Sequence, residues 1–182
     1  MAVQMKDVTV LFDEQQIRER ISQIGRQINA DYGGQEVLVV GILKGAFIFM
    51  ADLVRELELP VKIDFLQVSS YGKATISSGE IHIKKKLDDA IEGKHVLIVE
   101  DIIDTGITLS RICEILQTRN PASLKICCLL DKPSRRQVTT IRPDYVGFSI
   151  DDHFVVGWGL DYDQQYRQLP VVGILDPSVY TK

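Results

Sequence analysis

Apolar residues near the start of the chain recur at the spacing of an amphipathic helix. The stripe comprises Ile17, Ile21, Ile24 and Ile28, and steps of three and four residues place such side chains on one helical face. Asp13 followed by Gln16 has the residue types and spacing of an N-terminal capping box, and Gly33-Gly34 ends the pattern. The sequence therefore predicts a helix between these signals.

Beyond this helix, short apolar runs alternate with further amphipathic stretches. We predict strands at 37–42, 61–68, 81–86, 95–99, 124–130, 145–150, 154–156 and 171–175, and helices at 46–57 and 108–119. Strand–helix alternation in the middle of the chain implies right-handed crossovers and a mostly parallel sheet. Because no repeat, low-complexity tract or linker divides the sequence, we expect a single α/β domain over 1–182.

Composition and charge narrow the possible functions. Of 182 residues, 45% are apolar and 25% are charged, which excludes a disordered chain or a coiled coil. The formal net charge is −4, whereas a protein that coats nucleic acid carries a basic surplus. We therefore expect no nucleic-acid partner.

Three features predict a cytoplasmic location. Met1 to Val10 contains no apolar core behind a basic head, so no secretory signal is expected. The apolar stretch Val37 to Val54 is interrupted by Gly41 and Lys44-Gly45, so it is interpreted as a strand, a turn and a helix rather than a membrane span. The three cysteines form no CxxC pair and are expected to be reduced core thiols.

The candidate chemistry is concentrated directly after the strand predicted at 95–99. Glu100, Asp101 and Asp104 place three carboxylates within five residues, at an expected strand end where side-chain alternation no longer applies. The following Thr105-Gly106-Ile107-Thr108 offers a turn, two hydroxyls and the free amides of a helix N-terminus, which suit an anion. Carboxylates beside such an anion site fit a sugar phosphate. The alternative for an isolated D-T-G is that Asp104 or Thr108 only caps the helix.

The string from Val99 to Thr108 resembles the phosphoribosyl pyrophosphate (PRPP) signature of the type I phosphoribosyltransferases. Further segments resemble the hypoxanthine-guanine branch of that family: Gly41-Ile-Leu-Lys-Gly-Ala-Phe47, Ser69-Ser-Tyr-Gly72, Leu129-Leu-Asp-Lys132, Asp144-Tyr-Val-Gly-Phe148 and the stretch 154–167. The resemblance covers about Leu11 to Leu175, in the same order.

The resemblance implies an enzyme of purine salvage. Members transfer phosphoribosyl from PRPP to a 6-oxopurine, giving IMP or GMP and pyrophosphate, with Mg²⁺ as cofactor. The implied fold is a mostly parallel sheet flanked by helices, with a small hood and a mobile lid loop over residues 70–80. Such enzymes are usually homodimers or homotetramers.

The resemblance also assigns roles to the PRPP signature. Glu100 and Asp101 would bind the ribose hydroxyls and, with Asp161, a metal ion. The segment Asp104, Thr105, Gly106, Ile107 and Thr108 would hold the 5′-phosphate. Because Ile107 has no side-chain donor, the loop would depend on amides and two threonines. Asp104 would also act as general base at N7 of the purine.

Other implied roles concern pyrophosphate and the base. Pyrophosphate would contact Lys44 and Gly45, with a non-proline cis bond between Leu43 and Lys44, as well as Arg167 and the lid residues Ser70 and Tyr71. The purine would contact Lys132 through O6, Phe154 by stacking, Val155 through its backbone, and Asp161.

Several of these residues have simpler interpretations. Without the resemblance, Lys44 and Lys132 are also compatible with surface positions, and Phe154 with the core. Trp158 is either core or pocket wall. His82, His95 and His153 lack metal-ligand spacing. A PRPP-sensing regulator on the same fold is the alternative function, although it would need a nucleic-acid module or a basic face.

Overall fold

The structure, a computed structural model, describes residues 5–70 and 81–181. Of the predicted lid over 70–80, only Ser70 falls within these ranges, where its backbone ends a strand, and Tyr71 lies outside them. The helices are α1 (Glu14–Tyr32), α2 (Phe47–Arg55), α3 (Ile107–Gln117) and α4 (Pro177–Tyr180). The strands are β1 (Val8–Phe12), β2 (Val37–Leu43), β3 (Val61–Ser70), β4 (Ile81–Lys85), β5 (His95–Ile103), β6 (Ser123–Asp131), β7 (Tyr145–Ser149), β8 (Val155–Val156) and β9 (Val172–Leu175).

The predicted α/β sheet is confirmed. Six strands pair in the order β4-β3-β2-β5-β6-β7, and all neighbours are parallel except β3 and β4. A second sheet of order β1-β9-β8 is antiparallel, and we call it the hood. Among residues 5–70 and 81–181, no helix combines the length and apolar character needed to cross a membrane.

The core lies on both faces of the large sheet. One face packs against α1 and α2 and the other against α3. The neighbours Cys127 and Cys128 illustrate this division, because the first side chain belongs to the α1–α2 side and the second to the α3 side. Both thiols are buried and free, as predicted, whereas Cys113 is also free but only partly buried against the α3 side. Trp158, only 2% exposed, packs with the α1–α2 side and joins the hood to the large sheet.

Helix α1 begins and ends where the sequence predicts. The Asp13 carboxylate accepts from the Gln16 amide at 2.8 Å, and the Gln16 side chain accepts from the Asp13 amide at 3.0 Å. Gly33 ends the helix in the left-handed region, at φ 56°, which costs glycine little because it lacks a Cβ. All the signals that define this helix are local.

Strand β5 is longer than predicted and includes the acidic pair. The expectation that Glu100 and Asp101 lie beyond the strand end is wrong, because β5 continues to Ile103. Its partner β6 remains in register, with Glu100 opposite Cys128 and Ile103 opposite Asp131. Side chains alternate between the two core sides up to Val99, but Ile102 packs on the α1–α2 side and Ile103 on the α3 side. The regular alternation of a pleated strand is therefore lost between Val99 and Ile102, as the sequence predicts, although the strand itself continues.

Smaller corrections affect other element ends. Helix α2 is shorter than predicted at both ends, and α3 starts at Ile107, one residue early, and ends at Gln117. Strand β1 was not predicted, because its antiparallel partner β9 lies at the opposite end of the chain.

Candidate active site

Several of the predicted site residues lie in loops at the carboxyl ends of the large sheet. Lys44 and Gly45 follow β2, Asp104 follows β5 and Lys132 follows β6. Ligands bind at this edge of open α/β sheets because the strand-to-helix loops meet there. The segment between β8 and β9 also reaches these loops, because a side chain at Gly159 would clash with the carbonyl of Gly45.

The PRPP signature forms a small pocket at the N-terminus of α3. Its volume is about 180 Å³, and it is lined by Glu100, Ile102, Ile103, Asp104, Thr105, Gly106, Thr108 and Leu109. Gly106 turns the chain into the helix at φ 80°, a conformation that side chains disfavour. Free amides and the helix dipole favour an anion at such a terminus.

Ile107 differs from the other members of this loop. Its side chain does not line the pocket, and its amide donates to Thr105 Oγ1 at 3.4 Å. The Thr105 carbonyl accepts in turn from the amides of Gln137 at 3.0 Å and Val138 at 3.2 Å. The segment after Lys132 therefore braces the loop from outside the pocket.

Glu100 and Asp101 face different neighbours. Glu100 lines the pocket of the PRPP signature. Asp101 lies against Gly45, where any side chain would collide with its carboxylate. The glycine thus allows the carboxylate and the Lys44–Gly45 loop to share one space.

Burial without a cationic partner dominates the electrostatics of this acidic pair. Within the described ranges, neither carboxylate forms an ion pair. Desolvation, followed by the nearby charge of Asp101, raises the pKa of Glu100 well above its usual value. Burial likewise raises the pKa of Asp101 to about 6, although the amide of Ile102 donates to its Oδ1 at 2.8 Å. Perturbed carboxyls in a cleft are typical of functional sites.

The loop after β2 has the predicted backbone geometry. The peptide bond between Leu43 and Lys44 is cis. Lys44 is exposed, and its ammonium donates to Gln164 Oε1 at 3.0 Å. This contact links the β2 loop to the segment that also carries Asp161 and Arg167.

Asp161 and Arg167 bind one another in the segment between β8 and β9. Arg167 Nη2 lies 2.7 Å from Asp161 Oδ1, and Nη1 donates to the Gly159 carbonyl at 2.7 Å. The Gln164 amide donates to Asp161 Oδ2 at 2.8 Å. Across residues 5–70 and 81–181, no three acidic, histidine or cysteine side chains form a metal-binding group, so the predicted trio of Asp161, Glu100 and Asp101 is not preassembled.

Three predicted purine residues lie on two parts of the chain. Lys132 directly follows β6, whereas Phe154 directly precedes β8 and Val155 begins that strand. Lys132 is 7% exposed, so it is not the surface lysine that its sequence context also allowed. Phe154 is 40% exposed and therefore not core, and its ring stacks on Tyr180 at 5.0 Å between centroids. Val155 is buried in β8, opposite Ile174.

Two charged residues missed by sequence reasoning touch these groups. Arg135 Nε lies 3.1 Å from Asp104 Oδ1, and Asp152 Oδ1 lies 3.3 Å from Lys132 Nζ. Both look like ordinary surface charges in the sequence. The single signal for Arg135 is its place three residues after Lys132, and nothing local distinguishes Asp152 from Asp151.

The comparison with family models decides the family. The model described as "Phosphoribosyl transferase domain" matches residues 7–165. The chain belongs to this family. Curated phosphoribosyltransferases are similar along nearly the whole chain: the hypoxanthine phosphoribosyltransferase of Salmonella typhimurium is 54% identical over 91% of this chain and 94% of the relative. The hypoxanthine-guanine phosphoribosyltransferase of Bacillus subtilis is 47% identical over 94% of both.

One relative is much longer. The bifunctional protein TilS/HprT of Listeria innocua is 49% identical over 95% of this chain, which spans 26% of that protein's length. Among solved structures, a hypoxanthine phosphoribosyltransferase of Staphylococcus aureus superposes with a TM-score of 0.96 at 47% identity, covering 100% of this chain and 98% of the other. The molecule has the type I phosphoribosyltransferase fold, with a mixed central sheet flanked by helices.

Proposed function

We propose that this phosphoribosyltransferase moves the phosphoribosyl group of PRPP to hypoxanthine or guanine, giving IMP or GMP and pyrophosphate. One observation carries the proposal most strongly: β5 carries two half-buried carboxylates between an anion pocket and the Lys44–Gly45 loop. Glu100 faces the pocket and Asp101 faces the loop. A ribose with phosphate on one side and pyrophosphate on the other requires that arrangement of hydroxyl acceptors and anion donors.

The 5′-phosphate would occupy the pocket at the N-terminus of α3. Amides of the loop and the hydroxyls of Thr105 and Thr108 would bind it, with the helix dipole favouring its charge. Pyrophosphate would contact the Lys44–Gly45 backbone and Arg167, which lies next to Gly45 through Gly159. Ser70 and Tyr71 retain their proposed role at pyrophosphate.

The base would lie between the loops after β5 and β6. Phe154 would stack on the purine, the Val155 backbone would contact its edge, and Lys132 would donate to O6. N9 would attack C1′ of PRPP while N7 gives its proton to Asp104, and general-base assistance of this kind is worth about 10²–10⁴-fold. Positioned cations would stabilise the charge that develops on the leaving pyrophosphate.

The donor set fits Mg²⁺. This ion prefers carboxylate oxygens and is commonly bound by one or two of them together with substrate phosphates. Asp101 and Asp161 supply carboxylates. The two are close enough to interact, because, in addition to the effect of burial, the charge of Arg167 lowers the pKa of Asp101 while the charge of Asp161 raises it. Glu100, which lines the pocket at the N-terminus of α3, would bind the ribose hydroxyls. When bound, Mg²⁺ would neutralise charge on the pyrophosphate.

The proposal extends to the number of domains and to the oligomeric state. We propose one phosphoribosyltransferase domain over 1–182 that works as a homodimer or homotetramer. The named relatives are transferases, and none of them supports the alternative of a PRPP-sensing regulator.

The direct test is incubation of the purified protein with PRPP, Mg²⁺ and one base at a time. Nucleotide and pyrophosphate release are measured for hypoxanthine, guanine, xanthine and adenine. We expect turnover with hypoxanthine and guanine and almost none with adenine. Equal turnover of adenine, or no product with any 6-oxopurine, would refute the proposal.

A further inference from the structure

A chain of alternating charges joins the two ends of the proposed purine site. Lys132 Nζ lies 3.3 Å from Asp152 Oδ1, and Asp152 Oδ2 lies 3.6 Å from Arg135 Nη1. Arg135 Nε in turn lies 3.1 Å from Asp104 Oδ1. Lys132 follows β6, Asp104 follows β5, and Asp152 precedes β8, so one short network connects three separate elements.

We infer that Arg135 and Asp152 are positioning residues that hold the O6 donor and the N7 proton acceptor at a fixed separation. This inference rests on the proposed function, because that function assigns these two roles to Lys132 and Asp104. Neither positioning residue touches the purine. They act by orienting the groups that do, so that the base meets a preorganised donor and acceptor.

The network leaves free the atoms that the purine needs. Asp104 uses Oδ1 for Arg135, and its Oδ2 forms no hydrogen bond within the described part of the chain. The Lys132 ammonium carries three donors, of which one points to Asp152. A purine can therefore bind both residues without breaking the link, as expected of a third group that orients a catalytic base.

Burial predicts unequal contributions from the two positioning residues. Asp152 is itself 54% exposed, but the Lys132 side chain that it contacts is only 9% exposed, and Asp152 is the one ion-pair partner of Lys132 in the described ranges. Removing Asp152 would therefore leave a buried ammonium unpaired. Arg135 and Asp104 are 46% and 44% exposed, so solvent and salt weaken their attraction. Loss of Asp152 should thus disturb base binding more than loss of Arg135.

Steady-state kinetics with hypoxanthine and PRPP varied separately test this inference. The variants are Asp152→Asn and Arg135→Gln, and the control is Arg111→Gln, which removes an exposed ion pair to Glu114 on α3. We expect the KM for hypoxanthine to rise about tenfold in Asp152→Asn and about threefold in Arg135→Gln. The KM for PRPP and the Tm should stay close to the wild type in both, and the control should change nothing.

Conservative and combined variants separate positioning from a structural role. Asp152→Glu should restore most of the hypoxanthine affinity. Arg135→Lys should not, since one ammonium cannot reproduce the two-pronged contact of a planar guanidinium. The double variant should be no worse than Asp152→Asn alone, because the link is already cut.

Two outcomes would refute this inference while leaving the proposed function intact. An active wild type whose variants keep an unchanged hypoxanthine KM would do so, as would variants in which both KM values rise together with a lower Tm. A wild type that makes no nucleotide would instead refute the proposed function, and the inference would fall with it.

Discussion

Two sets of partly or fully buried charges on the large sheet differ in how completely the protein itself neutralises them. The first lies at the sheet edge, where the Asp64 carboxylate accepts from Lys85 Nζ at 3.0 Å and from the amides of Asp88 at 2.7 Å and Phe65 at 2.6 Å. Burial alone would raise the pKa of Asp64, but these donors lower it below its usual value. Lys85 is equally satisfied, with four acceptors within 3.1 Å.

The second set lies at the carboxyl ends of the central strands. Within the described residues, Glu100 and Asp101 form no ion pair, and burial raises the pKa of each. Lys132 is more buried than Lys85, with side-chain exposures of 9% and 35%, yet in the described part of the chain its ammonium has a single acceptor, at 3.3 Å.

The difference distinguishes charges that stabilise the fold from charges that serve a ligand. A buried charge without partners costs free energy, so a stable protein retains one only where another molecule compensates. PRPP hydroxyls, Mg²⁺ and a purine carbonyl would supply the groups that the site charges lack. The comparison therefore predicts opposite behaviour for equivalent substitutions in the two sets.

The largest contrast is expected between Lys132→Met and Lys85→Met. A 6-oxopurine offers an acceptor at O6, whereas adenine places a donor there that would leave a buried ammonium unpaired. Sites of this type can reject the wrong partner by up to about 10⁴–10⁵-fold. Lys132→Met should lose most hypoxanthine activity and narrow the gap to adenine, measured as a ratio of kcat/KM. Lys85→Met should lower stability and keep that ratio; an unchanged ratio in Lys132→Met would exclude Lys132 as the O6 reader.

A second contrast concerns turnover. Asp104→Asn is nearly isosteric but cannot accept the N7 proton, so kcat should fall by about 10²–10⁴-fold with little change in PRPP affinity. Asp88→Asn, an equally conservative change in the edge set, should leave kcat unaltered. Single-turnover rates measure the chemical step directly. Wild-type rates in Asp104→Asn would remove the general-base assignment.

The third contrast is in stability, and its sign depends on pH. Because the folded-state pKa of Asp101 is raised from 3.8 to about 6, its stabilising contribution is complete below about pH 4 and is lost as the pH rises through 6. Asp101→Asn should therefore stabilise the ligand-free protein at pH 7.5 by on the order of 2 kcal/mol. That gain should disappear near pH 3.5.

Asp64 should show the opposite sign. Its folded-state pKa is lowered, so its contribution is present above the unfolded carboxyl pKa and is lost as the pH falls through the folded value. Asp64→Asn should destabilise by about 1–3 kcal/mol at pH 7.5. Denaturant unfolding at several pH values measures both variants, and equal signs would contradict the comparison.

The sequence predicted best the features that local signals determine. The capping box of Asp13 and Gln16 lies within four residues, and the isoleucine stripe lies on one helix. The PRPP signature combines a strand end, a glycine turn and a helix start in ten consecutive residues, so its pocket could be predicted as a unit.

Features set by distant partners were missed. Strand β5 runs to Ile103 because β6 continues beside it, and no local signal around Glu100 shows this. Strand β1 depends on β9 at the far end of the chain. Arg135 and Asp152 acquire a role only when three elements meet, since an exposed charge in a loop is otherwise unremarkable in sequence.

The central claim, that a ligand completes the site charges, is tested most directly by thermal unfolding with and without PRPP and Mg²⁺. At a PRPP concentration about 100 times Kd, binding stabilises the folded state by about 2.7 kcal/mol. Wild type and Asp64→Asn should show similar increases in Tm at pH 7.5, and Asp101→Asn a clearly smaller one. An increase in Asp101→Asn equal to that of the wild type would contradict the claim.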